Sequence, residues 1–142
     1  MIKKHGSAKW QGGLKDGTGH VSTETGVLSD QPYGFNTRFE GAKGTNPEEL
    51  IGAAHASCFS MALSMILGQH ELTPDSIDTT ATVSLEEKDD GFAITKIHLD
   101  VKASVPGANA QQFADAANTA KENCPVSKAL AGVDITMDAT LA

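Results

Sequence analysis

The residues best suited to chemistry in this chain are its two cysteines, Cys58 and Cys124. A cysteine thiolate is a strong nucleophile, and two cysteines within reach of each other can cycle between thiols and a disulfide. A peroxide would oxidise the first sulfur to a sulfenic acid, which the second thiol would condense with to form a disulfide. The attacking sulfur must ionise at neutral pH, so this chemistry needs positive charge nearby.

Two other interpretations of the pair stay open at this point. Free cysteine is among the most buried residue types, so both could be small core residues. His55 and Cys58 are three residues apart, share a helix face and could begin a metal site. The chain has no Cys-x-x-Cys motif, however, and the other histidines lack ligand spacing, so we expect no metal.

The local pattern does not decide which cysteine attacks. Cys58 falls deep in a predicted helix, more than two turns from its start, where the helix dipole helps little. Cys124 directly precedes Pro125 and a second predicted helix, so it lies closer to a positive helix end. Activation of Cys58 would therefore have to come from a cation.

The long helix that carries Cys58 has the clearest start signal in the sequence. Asn46 is a suitable N-cap, Pro47 suits the first helical position, and Glu48 and Glu49 complement the positive end of the helix. The helical pattern runs to about Leu67, which makes the following glycine the predicted C-cap.

No charged side chain occurs between Leu50 and His70, a length that could cross a bilayer. The segment is only mildly apolar, and neither end carries a basic cluster or an aromatic belt, so we predict a buried helix and no membrane partner. A helix that is apolar all round must be covered all round. Because a domain this small supplies limited cover, we infer that a second copy of the chain supplies part of it.

Strand patterns flank this helix. Short alternating segments around Ser7–Trp10, His20–Thr25 and Gly34–Glu40 predict an antiparallel meander. After the helix, alternation from Ile77 and again from Phe92 predicts a hairpin that turns at Asp89-Asp90-Gly91. Two helices, about Ala110 to Glu122 and Pro125 to Leu130, and a last strand from Val133 follow. The order indicates an α+β fold of antiparallel sheet packed on helices, as one domain over residues 1–142.

Composition narrows the partners. The formal net charge is -7 and the basic residues do not cluster, so a nucleic-acid partner is not expected. The N-terminal residues MIKKHGSAKWQGG contain no apolar segment of a secretory signal, so we expect a cytoplasmic location. In a reducing cytosol, lone cysteines are more often reactive, metal-bound or inert than joined in a permanent disulfide.

The segments TNPEELIGAAHASCFSMAL around Cys58 and NCPVSKAL around Cys124 closely resemble the OsmC/Ohr family. The resemblance extends over VSTETGVLSDQPYGFNTRFEGAKG and SIDTTATVSLEEKDDGFAITKIHLDV, so it spans essentially the whole chain. It implies antiparallel sheets wrapped around long central helices, an intertwined homodimer, and a peroxidase that reduces organic hydroperoxides to alcohols in oxidative and osmotic stress defence. No cofactor is implied, and the reductant would be a dithiol such as dihydrolipoamide or a lipoylated protein.

The same resemblance assigns the site residues. It implies that Cys58 attacks the peroxide and that Cys124 resolves the sulfenic acid. Arg38 would stabilise the thiolate and polarise the peroxide, while Glu48 would hold the guanidinium in a bidentate pair. The alternatives are that Arg38 is a solvated strand residue paired with Glu40, and that Glu48 only compensates the helix dipole.

Helix geometry adds one expectation. Glu48 and Cys58 are ten residues apart on the predicted helix, a rise of about 15 Å. A carboxylate that far away does not share a site with Cys58 of its own chain, so Arg38 and Glu48 would come from the partner chain. Glu49 stays an alternative to Glu48, although its direction differs from that of Cys58 by roughly 180°, against about 80° for Glu48.

Two rival functions remain. A non-catalytic stress or lipid-binding protein could use the apolar interface as a pocket. A thiol-disulfide oxidoreductase would react with disulfides rather than peroxides, but it would lack the usual Cys-x-x-Cys motif.

Overall fold

The computed structural model describes residues 1–142. The chain divides into two compact units, Met1–Leu50 and Ile51–Ala142. Each unit has its own three-stranded sheet, and each is described separately below. The single domain over residues 1–142 stays a prediction.

The first unit is built on an antiparallel sheet in the order β1 (Gly6–Gln11), β2 (Thr18–Thr23) and β3 (Gln31–Tyr33). Gly19 on β2 pairs with Trp10 on one side and with Tyr33 on the other. The two aromatic rings lie 5.6 Å apart over this position, and a Cβ there would come within 2.5 Å of the Tyr33 ring. Glycine is therefore required for the rings to meet.

The strand predicted over Gly34–Glu40 is wrong, because residues Phe35–Phe39 form a short helix, α1. The Thr37 hydroxyl accepts the Gly34 N–H at 2.9 Å, and the Arg38 N–H donates to the Gly34 carbonyl at 3.1 Å, which closes a helical turn. Residues four apart, such as Phe35 and Phe39, share one face whether the segment is a strand or a helix. Their spacing alone could not distinguish the two, and their rings lie 4.9 Å apart.

The long helix α2 (Pro47–Gln69) begins where the sequence predicts. The Asn46 side chain accepts the Glu49 N–H at 2.7 Å, which satisfies one of the free donors of the first turn. The predicted C-cap at Gly68 is wrong, because the left-handed residue is Glu71, at φ 61°. The N–H groups of Glu71 and Leu72 donate to the carbonyls of Gly68 and Leu67, both at 3.0 Å, as in a Schellman motif.

The second unit contains the predicted hairpin. Strand β4 (Ser76–Lys88) pairs antiparallel with β5 (Gly91–Ser104), and Asp89 and Asp90 form the turn between them. Helices α3 (Ala110–Asn123) and α4 (Pro125–Ala129) connect β5 to β6 (Asp134–Leu141). This helical crossover returns the chain to the same end of the sheet, so β6 pairs parallel with β5 in an otherwise antiparallel arrangement.

One side of α2 belongs to the core of the second unit. Its buried apolar side chains pack with those of β5 and α3, namely Phe59, Leu63, Ile66, Leu67, Ile97, Leu99, Val101, Ala103, Phe113, Ala116, Ala117 and Ala120. At Gly52 the helix approaches β4 so closely that a Cβ would lie 2.9 Å from the Ala81 carbonyl oxygen. Glycine at this position thus allows the helix to pack directly on the strand.

The other side of α2 is left uncovered within one chain. Met61 and Met65 are 75% and 62% exposed, although both are large apolar side chains. By length and composition alone, α2 would also suffice to span a membrane. Its apolar content follows instead from a buried core face together with an apolar outer face that a single chain leaves open.

Candidate active site

The structure brings the two cysteines together. Cys58 lies in α2 and is partly exposed, whereas Cys124 is the N-cap of α4 and is 1% exposed. The two sulfurs lie close enough for Cys124 to affect the pKa of Cys58, and both are free thiols. A sulfenic acid formed on either sulfur would therefore have the second thiol beside it.

The first turn of α4 holds both sulfurs through its backbone. The Ser127 N–H donates to the Cys124 sulfur at 3.3 Å, and the Val126 backbone hydrogen-bonds to Cys58. Pro125, at the first helical position, has no N–H of its own. The N–H donors that a helix start leaves without intrahelical partners are thus directed at sulfur.

Within one chain, the surroundings of Cys58 oppose ionisation. Burial raises the pKa of the Cys58 thiol, the Val126 hydrogen bond lowers it, and the hydrogen bond and charge of Cys124 raise it again. The net direction is upward. No cation within the second unit offsets this effect, so a reactive Cys58 needs a positive charge from elsewhere.

A buried histidine is linked to the second cysteine through a serine. Ser127 Oγ lies 2.7 Å from His55 Nε2 and 3.0 Å from the sulfur of Cys124. Burial lowers the pKa of His55, and its Nδ1 has no hydrogen-bond partner. His55 therefore faces Ser127 rather than forming a metal site with Cys58.

The predicted pair of Arg38 and Glu48 is present in the first unit. The guanidinium donates from Nε to Oε1 and from Nη2 to Oε2, both at 2.9 Å. Glu48 is only 12% exposed in its side chain, whereas the neighbouring Glu49 is exposed. The geometry thus favours Glu48 over both Glu49 and Glu40 as the partner of Arg38.

A small cavity of about 260 Å³ adjoins this ion pair in the first unit. Aromatic and apolar side chains line it beside Arg38, namely Trp10, Leu14, Tyr33, Phe35, Phe39 and Pro47. The guanidinium carbon lies 5.5 Å from the centre of the Phe39 ring. Phe59, in contrast, is fully buried in the core of the second unit and offers no surface to a ligand.

Comparison with known proteins identifies the family of this chain. The family of OsmC-like proteins matches residues 40–138, and peroxiredoxin OsmC of Escherichia coli is 62% identical over 137 residues, covering 96% of this chain and 95% of that protein. The chain belongs to the OsmC family. The organic hydroperoxide resistance protein OhrB of Bacillus subtilis is 33% identical over 122 residues, covering 84% of this chain and 88% of that protein.

The fold is also that of the OsmC family. The crystal structure of an organic hydroperoxide resistance protein OsmC from Legionella pneumophila superimposes with a TM-score of 0.73. It covers 96% of both chains at 28% identity. The α+β architecture predicted from the sequence is therefore confirmed.

Sequence reasoning missed two features of this OsmC-family chain. The first is Ser127, which lies three positions after Cys124, the N-cap of α4. Because an N-cap side chain contacts the residue three positions later, this spacing could have indicated the contact between Cys124 and Ser127. The second is an exposed cluster of His98, Asp100 and Asp138, whose ligand-type atoms lie within 4.8 Å of one another. It joins neighbouring strands β5 and β6, so pairing across the sheet accounts for it.

Proposed function

We propose that this chain is a thiol-dependent peroxidase that reduces organic hydroperoxides to alcohols, with Cys58 as the peroxidatic and Cys124 as the resolving cysteine. The observation that carries the proposal is the proximity of two free thiols at the start of α4. Membership of the OsmC family supports the same activity.

The reaction has two steps within the protein. The Cys58 thiolate attacks one peroxide oxygen, the O–O bond breaks, and the released alkoxide takes a proton to leave as an alcohol. Cys58 is then a sulfenic acid. The Cys124 sulfur attacks it, so that an S–S bond forms, the S–O bond breaks and water leaves. A dithiol reductant of the dihydrolipoamide type, free or as a lipoylated protein, then restores both thiols by exchange.

Arg38 supplies the positive charge in this proposal. Its guanidinium stabilises the thiolate of Cys58 and polarises the peroxide, and Glu48 fixes its orientation through the bidentate pair. The Arg38 side chain is 36% exposed, so solvent screening limits what the ion pair adds to the stability of the fold. The ion pair instead fixes the direction of the Arg38 guanidinium. The adjacent aromatic cavity receives the organic group of the substrate.

We place these groups in an obligate homodimer. Glu48 and Cys58 are ten positions apart on the continuous helix α2, a rise of about 15 Å, so Arg38 and Glu48 of one copy would serve Cys58 of the other. The exposed Met61 and Met65 face of α2 supports burial against a second copy. Mixed dimers of Cys58→Ser and Arg38→Ala subunits should regain activity, whereas inactivity after confirmed subunit exchange would contradict the shared site.

We place the protein in the cytoplasm, whose reductants would return Cys58 and Cys124 to thiols. Stress defence is the role that we assign to the protein. Turnover with a dithiol tests the proposal. Cumene hydroperoxide should be reduced faster than hydrogen peroxide because the aromatic cavity binds only the former. Cys58→Ser should abolish turnover, and full activity in that variant would contradict the proposal.

A further inference from the structure

We propose that His55 and Ser127 are positioning residues for the resolving step: through the Ser127 hydroxyl, His55 orients the Cys124 thiol and accepts its proton as the disulfide forms. The inference rests on the proposed function, because it concerns the attack of Cys124 on the Cys58 sulfenic acid. Neither residue contacts the peroxide in this scheme.

The three groups form a continuous hydrogen-bonded chain inside the protein. The Cys124 thiol donates to Ser127 Oγ at 3.0 Å, and Ser127 Oγ lies 2.7 Å from His55 Nε2. Their exposures are 1%, 4% and 0%, respectively. A thiol this deeply buried cannot release its proton directly to bulk water, so the Ser127 hydroxyl is the polar route available to it.

The direction of the hydrogen bonds matches proton acceptance by the imidazole. When the thiol donates to Ser127, the serine hydroxyl is free to donate to Nε2, which requires a neutral His55. Burial lowers the pKa of His55 and so keeps the imidazole neutral at physiological pH. The groups next to it that can titrate are the two thiols, Cys124 through Ser127 and Cys58 through Cys124.

Packing alone does not account for a histidine at this position. Its Nδ1 is buried and has no hydrogen-bond partner, which carries a desolvation cost. An apolar side chain of similar size would fill the same space without that cost. The imidazole is therefore explained by what Nε2 does, which is to hold the hydroxyl of Ser127.

The step balances without any added reagent. The S–H bond of Cys124 breaks, its proton passes to Ser127 Oγ, and the serine proton passes to His55 Nε2. The sulfur forms the S–S bond with Cys58 while the S–O bond of the sulfenic acid breaks. The departing hydroxide takes up a proton from solvent at the partly exposed Cys58 and leaves as water. The proton held on the imidazole returns through Ser127 to Cys124 when the dithiol reductant restores that thiol, and the reductant releases one proton to solvent in its place.

Single-turnover kinetics can test this role, because the two half-reactions are separable. Sulfenic acid formation on Cys58 depends on peroxide concentration and can be trapped with dimedone, whereas disulfide formation does not depend on it. Ser127→Ala removes the hydroxyl but keeps the backbone N–H to the Cys124 sulfur. We expect disulfide formation to slow by about tenfold to a hundredfold, with sulfenic acid formation within about twofold of wild type.

Two further variants separate the relay from packing. Ser127→Thr restores the hydroxyl and should recover most of the resolving rate. His55→Gln keeps a polar group for Ser127 but accepts no proton, so it should resolve as slowly as Ser127→Ala. Resolution at the wild-type rate in Ser127→Ala or His55→Gln would overturn the inference, as would an equal loss in both half-reactions. If wild-type protein formed no sulfenic acid, the proposed function itself would fail first.

Discussion

Arg38 and Glu48 form two hydrogen bonds of 2.9 Å, in which Arg38 Nε donates to Glu48 Oε1 and Arg38 Nη2 donates to Glu48 Oε2. This geometry fixes the plane of the guanidinium, which a single contact or a lysine could not do. Glu48 therefore orients the Arg38 guanidinium, in addition to complementing the start of α2.

Glu48→Gln should lower kcat/KM for cumene hydroperoxide by about tenfold to a hundredfold, because Arg38 loses its charged, bidentate partner. The matched control is Glu49→Gln, which removes the same charge from the same helical turn but touches no arginine. Steady-state kinetics on both variants compares them directly. Equal losses would mean that the helix dipole, rather than the orientation of Arg38, is what matters.

The Cys58 thiol should depend on Arg38 for its ionisation. Burial raises the pKa of Cys58 in the isolated chain, so its thiolate fraction at neutral pH is small unless a cation offsets that effect. In a Cys124→Ser background, Arg38→Ala should shift the pKa of Cys58 further upward, and the pH midpoint of the peroxide reaction should move up with it.

Thiolate absorbance in the ultraviolet, followed against pH, measures this shift. Lys15→Ala is the control, since Lys15 is a nearby cation over the Phe35 ring at 5.7 Å and is not part of the Arg38 ion pair. An unchanged Cys58 pKa in Arg38→Ala would remove Arg38 from the activation of the thiol. A comparable shift in Lys15→Ala would point to general electrostatics instead.

Gly52 and Gly68 on α2 should respond to alanine in opposite directions. A Cβ at Gly52 would meet the Ala81 carbonyl oxygen at 2.9 Å, so Gly52→Ala should cost about 1–3 kcal/mol through displaced packing. A Cβ at Gly68 would meet nothing within 4 Å, so Gly68→Ala should stabilise by roughly 0.5–1 kcal/mol. Urea unfolding of both variants gives the comparison, and a stable Gly52→Ala protein would contradict the close approach of α2 to β4.

Much of the fold could be predicted because its signals are local. The Asn46 cap and Pro47 mark the start of α2, and Asp89-Asp90-Gly91 marks the hairpin turn. Both depend on contacts between residues close in sequence. The Phe35–Phe39 segment failed for a related reason, since its spacing fits both periods and the deciding hydrogen bonds of Thr37 leave no pattern.

The site was predictable only in part. The resemblance pointed to four residues, Cys58, Cys124, Arg38 and Glu48. In the structure Cys58 lies beside Cys124, and Arg38 forms an ion pair with Glu48. The contact of His55 with Ser127 joins residues 72 positions apart, so no periodicity could have revealed it. The parallel pairing of β6 with β5 was likewise invisible, because it depends on the path of the α3–α4 crossover.

Counting thiols after a stoichiometric dose of cumene hydroperoxide tests the central claim most directly. Wild-type protein should lose both free thiols as Cys58 and Cys124 form a disulfide. Cys124→Ser should lose its thiol to a sulfenic acid that dimedone traps, and Cys58→Ser should keep its thiol and leave the hydroperoxide unreduced. Consumption of the hydroperoxide by Cys58→Ser, or two intact thiols in treated wild-type protein, would contradict the assignment of Cys58 as the attacking sulfur.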